Sequence, residues 1–272
     1  MILKPHALCL FALVPRALAD KDKDDSDDEP ADSGTVWATP HDSYSSSIGV
    51  LGCKIDTNRV AYWPSAVDCN NLCVSLSYDD RSVKLLRIDQ SQGAYDVSYD
   101  AWNYLYTGHS ATDQPTAGGA VEMQFENLEA SECRDLIHTD GHKLPLSAPN
   151  SMNFLASCLT QNDSWVADNY RLFNVADSIC SLGYDEACDL DWPDANQAAC
   201  PHTLGDTSPL SGAPVYNILY PSGEKVVAGS TGEIVADSGA SEESLGILGY
   251  RGPLLAAFLV AFFSGNVNLF WL

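Results

Sequence analysis

Basic residues are scarce in this 272-residue chain: Lys and Arg number 14 against 37 Asp and Glu, which gives a formal net charge of −23 at pH 7. A chain with this charge balance repels the phosphates of nucleic acid and the surface of anionic membranes. The composition therefore excludes a general nucleic-acid-binding protein, and it favours neutral polymers or cations as partners.

Motifs of familiar catalytic chemistry are also missing. The sequence contains no G-x-S-x-G nucleophile motif, no H-E-x-x-H metal motif and no nucleotide-binding glycine pattern. One histidine pair, His138 and His142, lies in the run HTDGH, but at a turn such a pair is more typical of a solvated loop than of a metal site. The sequence therefore predicts no cofactor and no bound metal, and it disfavours a hydrolase.

The N-terminus is typical of a secreted protein. Lys4 precedes the apolar run Ala7–Val14 and the cleavage-site pattern Ala17-Leu18-Ala19. A charged start, a short apolar core and an A-x-A site predict a signal peptide over residues 1–19. A buried N-terminal helix is the alternative, and it is disfavoured because the acidic run that follows has nothing to pack against.

The last residues predict a lipid-anchor signal. Pro253–Leu272 is apolar, and the small residues of Ser238–Ser241 lie upstream of it across a spacer, which is the order found in a GPI-anchor signal. We expect attachment at Ser238, with residues 240–272 as the removed signal. A tail-anchored transmembrane helix is the alternative, and it is disfavoured by small and polar residues inside the span: Gly265, Asn266 and Asn268.

The cysteine count fits secretion. Of nine cysteines, Cys9 falls in the predicted signal peptide, and the even number that remains predicts four disulfides. A zinc site is the alternative, and it is disfavoured because the close pair Cys69 and Cys73 has no second matching pair. The remaining cysteines are Cys53, Cys69, Cys73, Cys133, Cys158, Cys180, Cys188 and Cys200.

Composition divides the rest of the chain into segments. Residues 20–47 begin with the acidic run Asp20–Asp32, which cannot bury apolar surface, and they are predicted to be a disordered lead-in rather than a weak calcium site. Residues 48–140 are predicted to be the first folded unit, and residues 144–202 a Cys-rich helical extension. Residues 203–239 are predicted to be a linker, with short strands as the alternative.

Strands are predicted most clearly in the first unit. The runs Cys73–Tyr78 and Ser82–Asp89 flank the polar turn Asp79–Arg81, which predicts a pair of strands. Apolar and polar residues alternate over Ala120–Leu128, which predicts a half-buried strand. Between these elements, a short amphipathic helix is predicted to begin at Asp96-Val97-Ser98.

The second unit has apolar residues at helical spacing. Ser147–Leu159 and Trp165–Cys180 carry them every three or four residues, which predicts two helices. A segment of about 60 residues buries little core by itself, so we expect disulfides to hold this extension together. The sequon Asn162-Asp163-Ser164 predicts N-glycosylation at Asn162.

A series of short motifs in the first unit occurs in the order of a known family pattern. These motifs are Cys69 and Cys73, Ser75-Leu76-Ser77-Tyr78, Ser82-Val83, Ile88-Asp89, Gly93-Ala94-Tyr95-Asp96-Val97, Tyr99–Leu105, Ala120-Val121-Glu122-Met123 and Cys133. Through them the first unit resembles the double-psi β-barrel proteins of the cerato-platanin, barwin and expansin superfamily. The resemblance implies a mainly β fold with added α: a six-stranded double-psi β-barrel followed by a small disulfide-stapled helical extension.

The resemblance also implies two disulfides, Cys53–Cys69 and Cys73–Cys133. The four other cysteines allow three pairings, and the sequence selects none of them. The chain departs from the family pattern in the spacing of its close cysteine pair. Asp96 stands where cerato-platanins have Asn, which is closer to the expansin pattern, and the second Cys-rich unit has no counterpart in either family.

Candidate site residues lie in and beside the matching region. Asp89 and Asp96 are candidate catalytic carboxylates, although an Asp at position 96 could equally cap the helix. Inverting hydrolysis needs an acid and a base, but the companion motifs of related endoglucanases are missing, so no catalytic residue is firm. Sugar rings stack on flat aromatic faces. We therefore expect Tyr62, Trp63 and Tyr95 to line a carbohydrate-binding groove together with both aspartates.

The sequence thus predicts a secreted, GPI-anchored, monomeric protein of the fungal cell surface. It is expected to bind wall polysaccharide, chitin or β-glucan, without hydrolysing it. One alternative is a weak glycan-active enzyme that uses Asp89 and Asp96. The other is a structural wall protein or effector whose barrel presents loops to a protein partner.

Overall fold

Six strands close into a barrel in the computed structural model, which describes residues 32–230. The order around the barrel is β1-β5-β2-β4-β3-β6, with β1 parallel to β5, β2 parallel to β4 and the other pairs antiparallel. Closure pairs every strand on both sides and leaves no free edge. The predicted mainly β fold with a six-stranded barrel is confirmed. The strands are β1 (Ser33–His41), β2 (Val60–Trp63), β3 (Cys73–Tyr78), β4 (Arg81–Gln90), β5 (Tyr95–Ser98) and β6 (Val121–Leu128).

Alternating side chains fill the barrel. In β2, Ala61 and Trp63 belong to the interior apolar cluster, whereas Tyr62 belongs to a second cluster outside the barrel. This period of two is what a pleated strand imposes on its side chains. The helix α1 (Tyr99–Thr107) packs on the interior cluster through Trp102, whose indole N–H donates to the carbonyl oxygen of Ala38 at 3.1 Å.

A three-stranded sheet covers part of the barrel's outer surface. Its strands are arranged β7-β8-β9, with β7 parallel to β8. Tyr62 and Leu86 of the barrel share one continuous apolar cluster with Leu144, Leu155 and Val175, so the barrel and this sheet are stabilised by a common core. The elements after the barrel are β7 (Leu144–Ser147), α2 (Met152–Leu159), α3 (Trp165–Asp168), β8 (Tyr170–Val175), β9 (Gly183–Cys188) and a hairpin of β10 (Tyr216–Ile218) and β11 (Lys225–Val227).

Two predictions about this organisation are wrong. Residues 33–41 are not a disordered lead-in but the barrel strand β1, because Val36 and Ala38 fit the interior. Residues 144–202 are not mainly helical, since the predicted helix Trp165–Cys180 contains only the short α3 before the chain becomes β8. Within residues 203–230, the strand alternative holds, because β10 and β11 pair there.

Four disulfides join the described cysteines: Cys53–Cys180, Cys69–Cys158, Cys73–Cys133 and Cys188–Cys200. The predicted number and the Cys73–Cys133 pair are confirmed, and such a set is typical of a protein that folds in an oxidising compartment. The implied Cys53–Cys69 pair is wrong. The backbone N–H of Gly52 donates to the carbonyl oxygen of Ser178 at 2.8 Å, which holds Cys53 beside Cys180 instead.

Several predictions concern residues outside the described range. The signal peptide, residues 20–31 of the acidic run, Ser238 and the anchor signal all lie there. Asn162 lies within the described range and is exposed in the turn between α2 and α3, where a glycan is sterically accessible. Across residues 32–230, every helix is too short or too polar to span a bilayer.

Candidate functional site

Four side chains form a row across the outer face of the barrel. Strand register pairs Thr39 with Asp96, Asp96 with Tyr62, and Tyr62 with Asp89. Residues that are partners in register point to the same side of a sheet. We call these four residues the outer row. The fold therefore brings the two predicted carboxylates, Asp89 and Asp96, onto one face with Tyr62 between them.

An irregularity in strand pairing places Asp89 in this row. The register between β2 and β4 shifts between Ala61 and Tyr62, so that Ala61 opposes Arg87 and Tyr62 opposes Asp89. Regular alternation would put Asp89 on the same side as Arg87, whose buried guanidinium lies 5.6 Å from the Trp63 ring. An extra residue in a strand re-aims the side chains that follow it, and here it turns a carboxylate outward.

Asp89 uses both carboxylate oxygens to hold the chain that follows β1. Oδ2 accepts from the Ser45 hydroxyl at 2.5 Å, and Oδ1 accepts from the backbone N–H groups of Ser47 at 2.9 Å and Gln90 at 2.8 Å. Hydrogen bonds to a carboxylate are about twice as strong as those between neutral groups. Asp89 therefore acts as an anchor for the segment 45–47, and its hydrogen-bonding capacity is largely used within the protein.

Asp96 has capacity to spare. Its Oδ1 accepts a hydrogen bond from the Thr39 hydroxyl, and within residues 32–230 no donor contacts Oδ2. Asp96 lies in β5, whereas Ser98 occupies the position before the first helical residue. The helix-capping alternative for Asp96 is therefore wrong. A half-buried carboxylate with a free oxygen is suited to accept a hydrogen bond from a ligand hydroxyl.

Tyr62 is a structural member of the outer row. Its side chain is buried, and its ring centroid lies 4.5 Å from that of His41. Burial raises the pKa of the Tyr62 phenol well above its ordinary value, and the negative charge of Asp89 raises it further, although a backbone hydrogen bond from Ser45 opposes the shift. Tyr62 is therefore a neutral phenol at any physiological pH, and it offers no open ring face to a sugar.

The other predicted sugar-stacking aromatics lie on the opposite side of the sheet. Trp63 is 3% exposed and belongs to the barrel interior. The half-buried ring of Tyr95 packs edge-on against it, with 5.2 Å between centroids. The expectation that Tyr62, Trp63 and Tyr95 form a solvent-facing groove is wrong for the two buried rings, since alternation along β2 turns one into each apolar cluster.

Trp37 is an aromatic residue that does face solvent on this side of the sheet, and it was not predicted from the sequence. It is 59% exposed on β1, between the interior residues Val36 and Ala38. Trp37 is two residues from Thr39 on the same face of the strand, about 7 Å along the chain. The run Thr35–Thr39 does alternate, but consecutive Val, Trp and Ala look like one apolar run, and this hid the pattern.

A cleft extends this face beyond the far end of β1. Asn58 and Asp100 line a small niche beside His41, and they also line a larger cleft of ≈ 280 Å³ against Tyr216 and Lys225 of the β10–β11 hairpin. The accessible surface thus runs from Trp37 past Thr39 and Asp96 to His41 and the hairpin. An exposed indole followed by hydroxyl, carboxylate and amide groups is suited to an extended, neutral, hydroxyl-rich ligand.

The described part of the chain contains no cluster of three or more His, Cys, Asp or Glu side chains with the geometry of a metal site. Comparison of this chain with protein-family models, with curated proteins and with solved structures gives no match.

Proposed function

We propose that this protein binds neutral wall polysaccharide, chitin or β-glucan, at the cell surface without hydrolysing it. The observation that carries the proposal is the 59% exposure of Trp37 on the same face of the sheet as Thr39 of β1 and Asp96 of β5. Flat aromatic rings provide apolar contact area at low entropic cost. A sugar ring stacked on Trp37 would leave the next ring of the chain within reach of the free oxygen of Asp96.

Charge supports a neutral polymer over an anionic one. The chain has a formal net charge of −23, and the face between Trp37 and His41 carries the carboxylate of Asp96 without a basic side chain in the outer row. A carboxylate accepts hydrogen bonds from sugar hydroxyls but repels uronate and phosphate groups. Chitin and β-glucan present hydroxyls and no negative charge.

The proposed barrel type, secretion and membrane anchoring are supported by different features of the fold and the sequence. The two parallel pairs, β1 with β5 and β2 with β4, support a double-psi barrel related to cerato-platanins and expansins. Four disulfides support secretion. Attachment through a GPI anchor at Ser238 rests on the C-terminal sequence alone.

A second candidate function is weak hydrolysis by Asp89 and Asp96. Their strands flank β2, so their backbones are about 10 Å apart, and inverting glycosidases place their carboxyl groups at about 6.5–9.5 Å. However, Asp89 already accepts three hydrogen bonds within the protein, which leaves it poorly placed to activate water. The enzyme hypothesis requires reducing-sugar release that disappears in Asp96→Asn.

Depletion isotherms test the binding proposal. The secreted, oxidised protein is incubated with insoluble chitin, β-glucan and cellulose, and the unbound fraction is measured. We expect saturable binding to one polymer, weakened at least about tenfold by Trp37→Ala, since buried aromatic contacts dominate interface energies. The matched control is Tyr106→Ala, which removes the second large aromatic that is exposed within residues 32–230, at 41% exposure, on α1 rather than in the outer row.

The outcome against the proposal is equally definite. If the protein stays in the supernatant with all three polymers, or if both alanine variants bind as well as the wild type, Trp37 is not a sugar platform. The remaining hypothesis is then a structural protein or effector that presents the barrel to a protein partner.

A further inference from the structure

A pocket on the second sheet concentrates positive charge in a strongly acidic protein. Its volume is ≈ 470 Å³, which falls within the size range of small-molecule sites. Its lining carries three of the 14 Lys and Arg of the chain but a single carboxylate. We call this site the anion pocket. The lining side chains that matter here are Lys54, His138, Asp140, Lys143, Arg171 and Phe173.

The fold assembles this pocket from four separate parts of the chain. Lys143 directly precedes β7, and Arg171 lies on β8, which pairs with β7 in parallel. Phe173 follows Arg171 by two residues and therefore lies on the same face of the strand. Lys54 ends a short 3-10 turn, and its ammonium lies 4.3 Å from the centre of the Phe173 ring.

The cations in the pocket differ in how they are compensated. Lys54 is held by an ion pair with Asp185 at 2.7 Å. Within residues 32–230, no carboxylate lies within ion-pair distance of Lys143 or Arg171, and both are exposed. Because Asp185 compensates Lys54, the surplus comes from Lys143 and Arg171 against Asp140, and it amounts to one positive charge. In a chain of net charge −23, such a surplus is a local exception.

We propose that the anion pocket binds a phosphate monoester carried by a sugar-sized molecule. A phosphate monoester has close to two negative charges at neutral pH, one for each of the two lining cations that have no ion-pair partner among the described residues, Lys143 and Arg171. The planar guanidinium of Arg171 can bind two phosphate oxygens at once, and the ammonium of Lys143 adds a point charge. Phe173 and Ala187 supply apolar surface for the rest of the molecule. This site is separate from the outer row, and its ligand is anionic whereas the polysaccharide proposed for the outer row is neutral.

Calorimetric titration with glucose 6-phosphate at low ionic strength tests the assignment on the full, oxidised chain. Arg171→Gln and Lys143→Gln are each expected to weaken binding at least about tenfold, because each removes a charge-assisted hydrogen bond. Asp140→Asn is expected to tighten binding, since it removes the lining carboxylate. The matched controls are Arg134→Gln and Lys84→Gln, which make the same charge changes at exposed residues outside the pocket.

Three outcomes would overturn the proposal. The first is equal weakening by the pocket variants and their matched controls, which would mean that only the net charge matters. The second is binding of glucose as tight as that of glucose 6-phosphate. The third is equal affinity for glucuronate, which would show that a single negative charge is sufficient.

A phosphorylated lipid headgroup has the same chemistry as a sugar phosphate, so a second arm distinguishes the sources. The protein is sedimented with vesicles that contain phosphatidylinositol 4-phosphate. Retention that Arg171→Gln abolishes assigns the pocket to a membrane lipid. Calorimetric binding of glucose 6-phosphate without binding to the vesicles assigns the pocket to a soluble ligand. We expect this second result, because an acidic protein is repelled by an anionic surface.

Discussion

The barrel and the three-stranded sheet of β7, β8 and β9 are stabilised in different ways. Every barrel strand is paired on both sides, the interior is filled by side chains such as Leu76 and Trp102, and one disulfide, Cys73–Cys133, ties β3 to the segment after β6. The sheet has two edge strands, and disulfides link its surroundings to the barrel-side segments at Cys53 and Cys69. Hydrogen-bond closure supports the first region, and covalent links support the second.

The same two regions present opposite chemistry to solvent. The barrel exposes an indole and a carboxylate along β1 and β5, whereas the sheet exposes uncompensated cations around Arg171. A continuous apolar cluster lies beneath both. Strands that pack on one small core can therefore present surfaces of different charge to solvent, because each surface uses the outward-facing side chains of its own strands.

The largest expected effect breaks a covalent link between the regions. With the other bridges intact, Cys53–Cys180 closes a loop of about 40 residues, so its loss in Cys53→Ser/Cys180→Ser should lower the free energy of unfolding by about 4 kcal/mol. Guanidinium denaturation of the oxidised protein measures this change.

The matched comparison is Cys188→Ser/Cys200→Ser, which opens a link between cysteines only 12 residues apart. A loop of that length predicts a loss of about 3 kcal/mol. If loss of Cys188–Cys200 lowers the free energy of unfolding more than loss of Cys53–Cys180, the sheet is not held to the barrel chiefly by covalent links.

A smaller loss of unfolding free energy is expected from the carboxylates of the outer row, and it should differ between Asp89 and Asp96. Asp89→Asn should cost about 2 kcal/mol, because an amide cannot accept all three hydrogen bonds that now end on the carboxylate. Hydrogen exchange should also become faster at the backbone of residues 45–47. Asp96→Asn should cost less than about 1 kcal/mol, since its amide oxygen can still accept from Thr39. Equal costs for the two variants would contradict the anchor role of Asp89.

The last prediction concerns Tyr62 and the dependence of the unfolding free energy on pH in the alkaline range. The folded-state pKa of Tyr62 is raised by burial and by Asp89, so its contribution to stability is fully present below the unfolded pKa of about 10 and is lost as the pH rises above that value. The slope for one such group is about 1.4 kcal/mol per pH unit. Unfolding free energies measured between pH 9 and 11 should fall less steeply in Tyr62→Phe, and an unchanged slope would contradict the assignment.

The barrel could be predicted from sequence where alternation was clear. The predicted bounds of Cys73–Tyr78 match β3, and Ala120–Leu128 became β6 with Met123 inside, because each strand has one buried and one solvated face. β1 was missed, since its exposed tryptophan removes the polar half of the pattern. A strand is predicted most easily when one of its faces is polar, and Trp37 places a large apolar side chain on the solvent-facing side of β1.

The sheet could not be predicted, for a different physical reason. In Tyr170–Val175, both faces carry apolar residues, so helical and strand periods fit equally well, and only pairing with β7 decides between them. The Cys53–Cys180 link depends on the same long-range packing. Asp96 was placed near its true position, but its role depended on whether the helix began two residues later at Tyr99, a boundary that local sequence does not fix.

The most direct measurement is an amide and indole NMR titration of the labelled protein with a soluble fragment of the polymer that retains it. The account predicts shifts at the Trp37 indole N–H and at the amides of Thr39 and Asp96, with none at Lys143 or Arg171. Glucose 6-phosphate should give the reverse pattern. Oligosaccharide shifts confined to the anion pocket, or the absence of shifts along β1, would contradict the proposal that the outer face of the barrel is the polysaccharide-binding site.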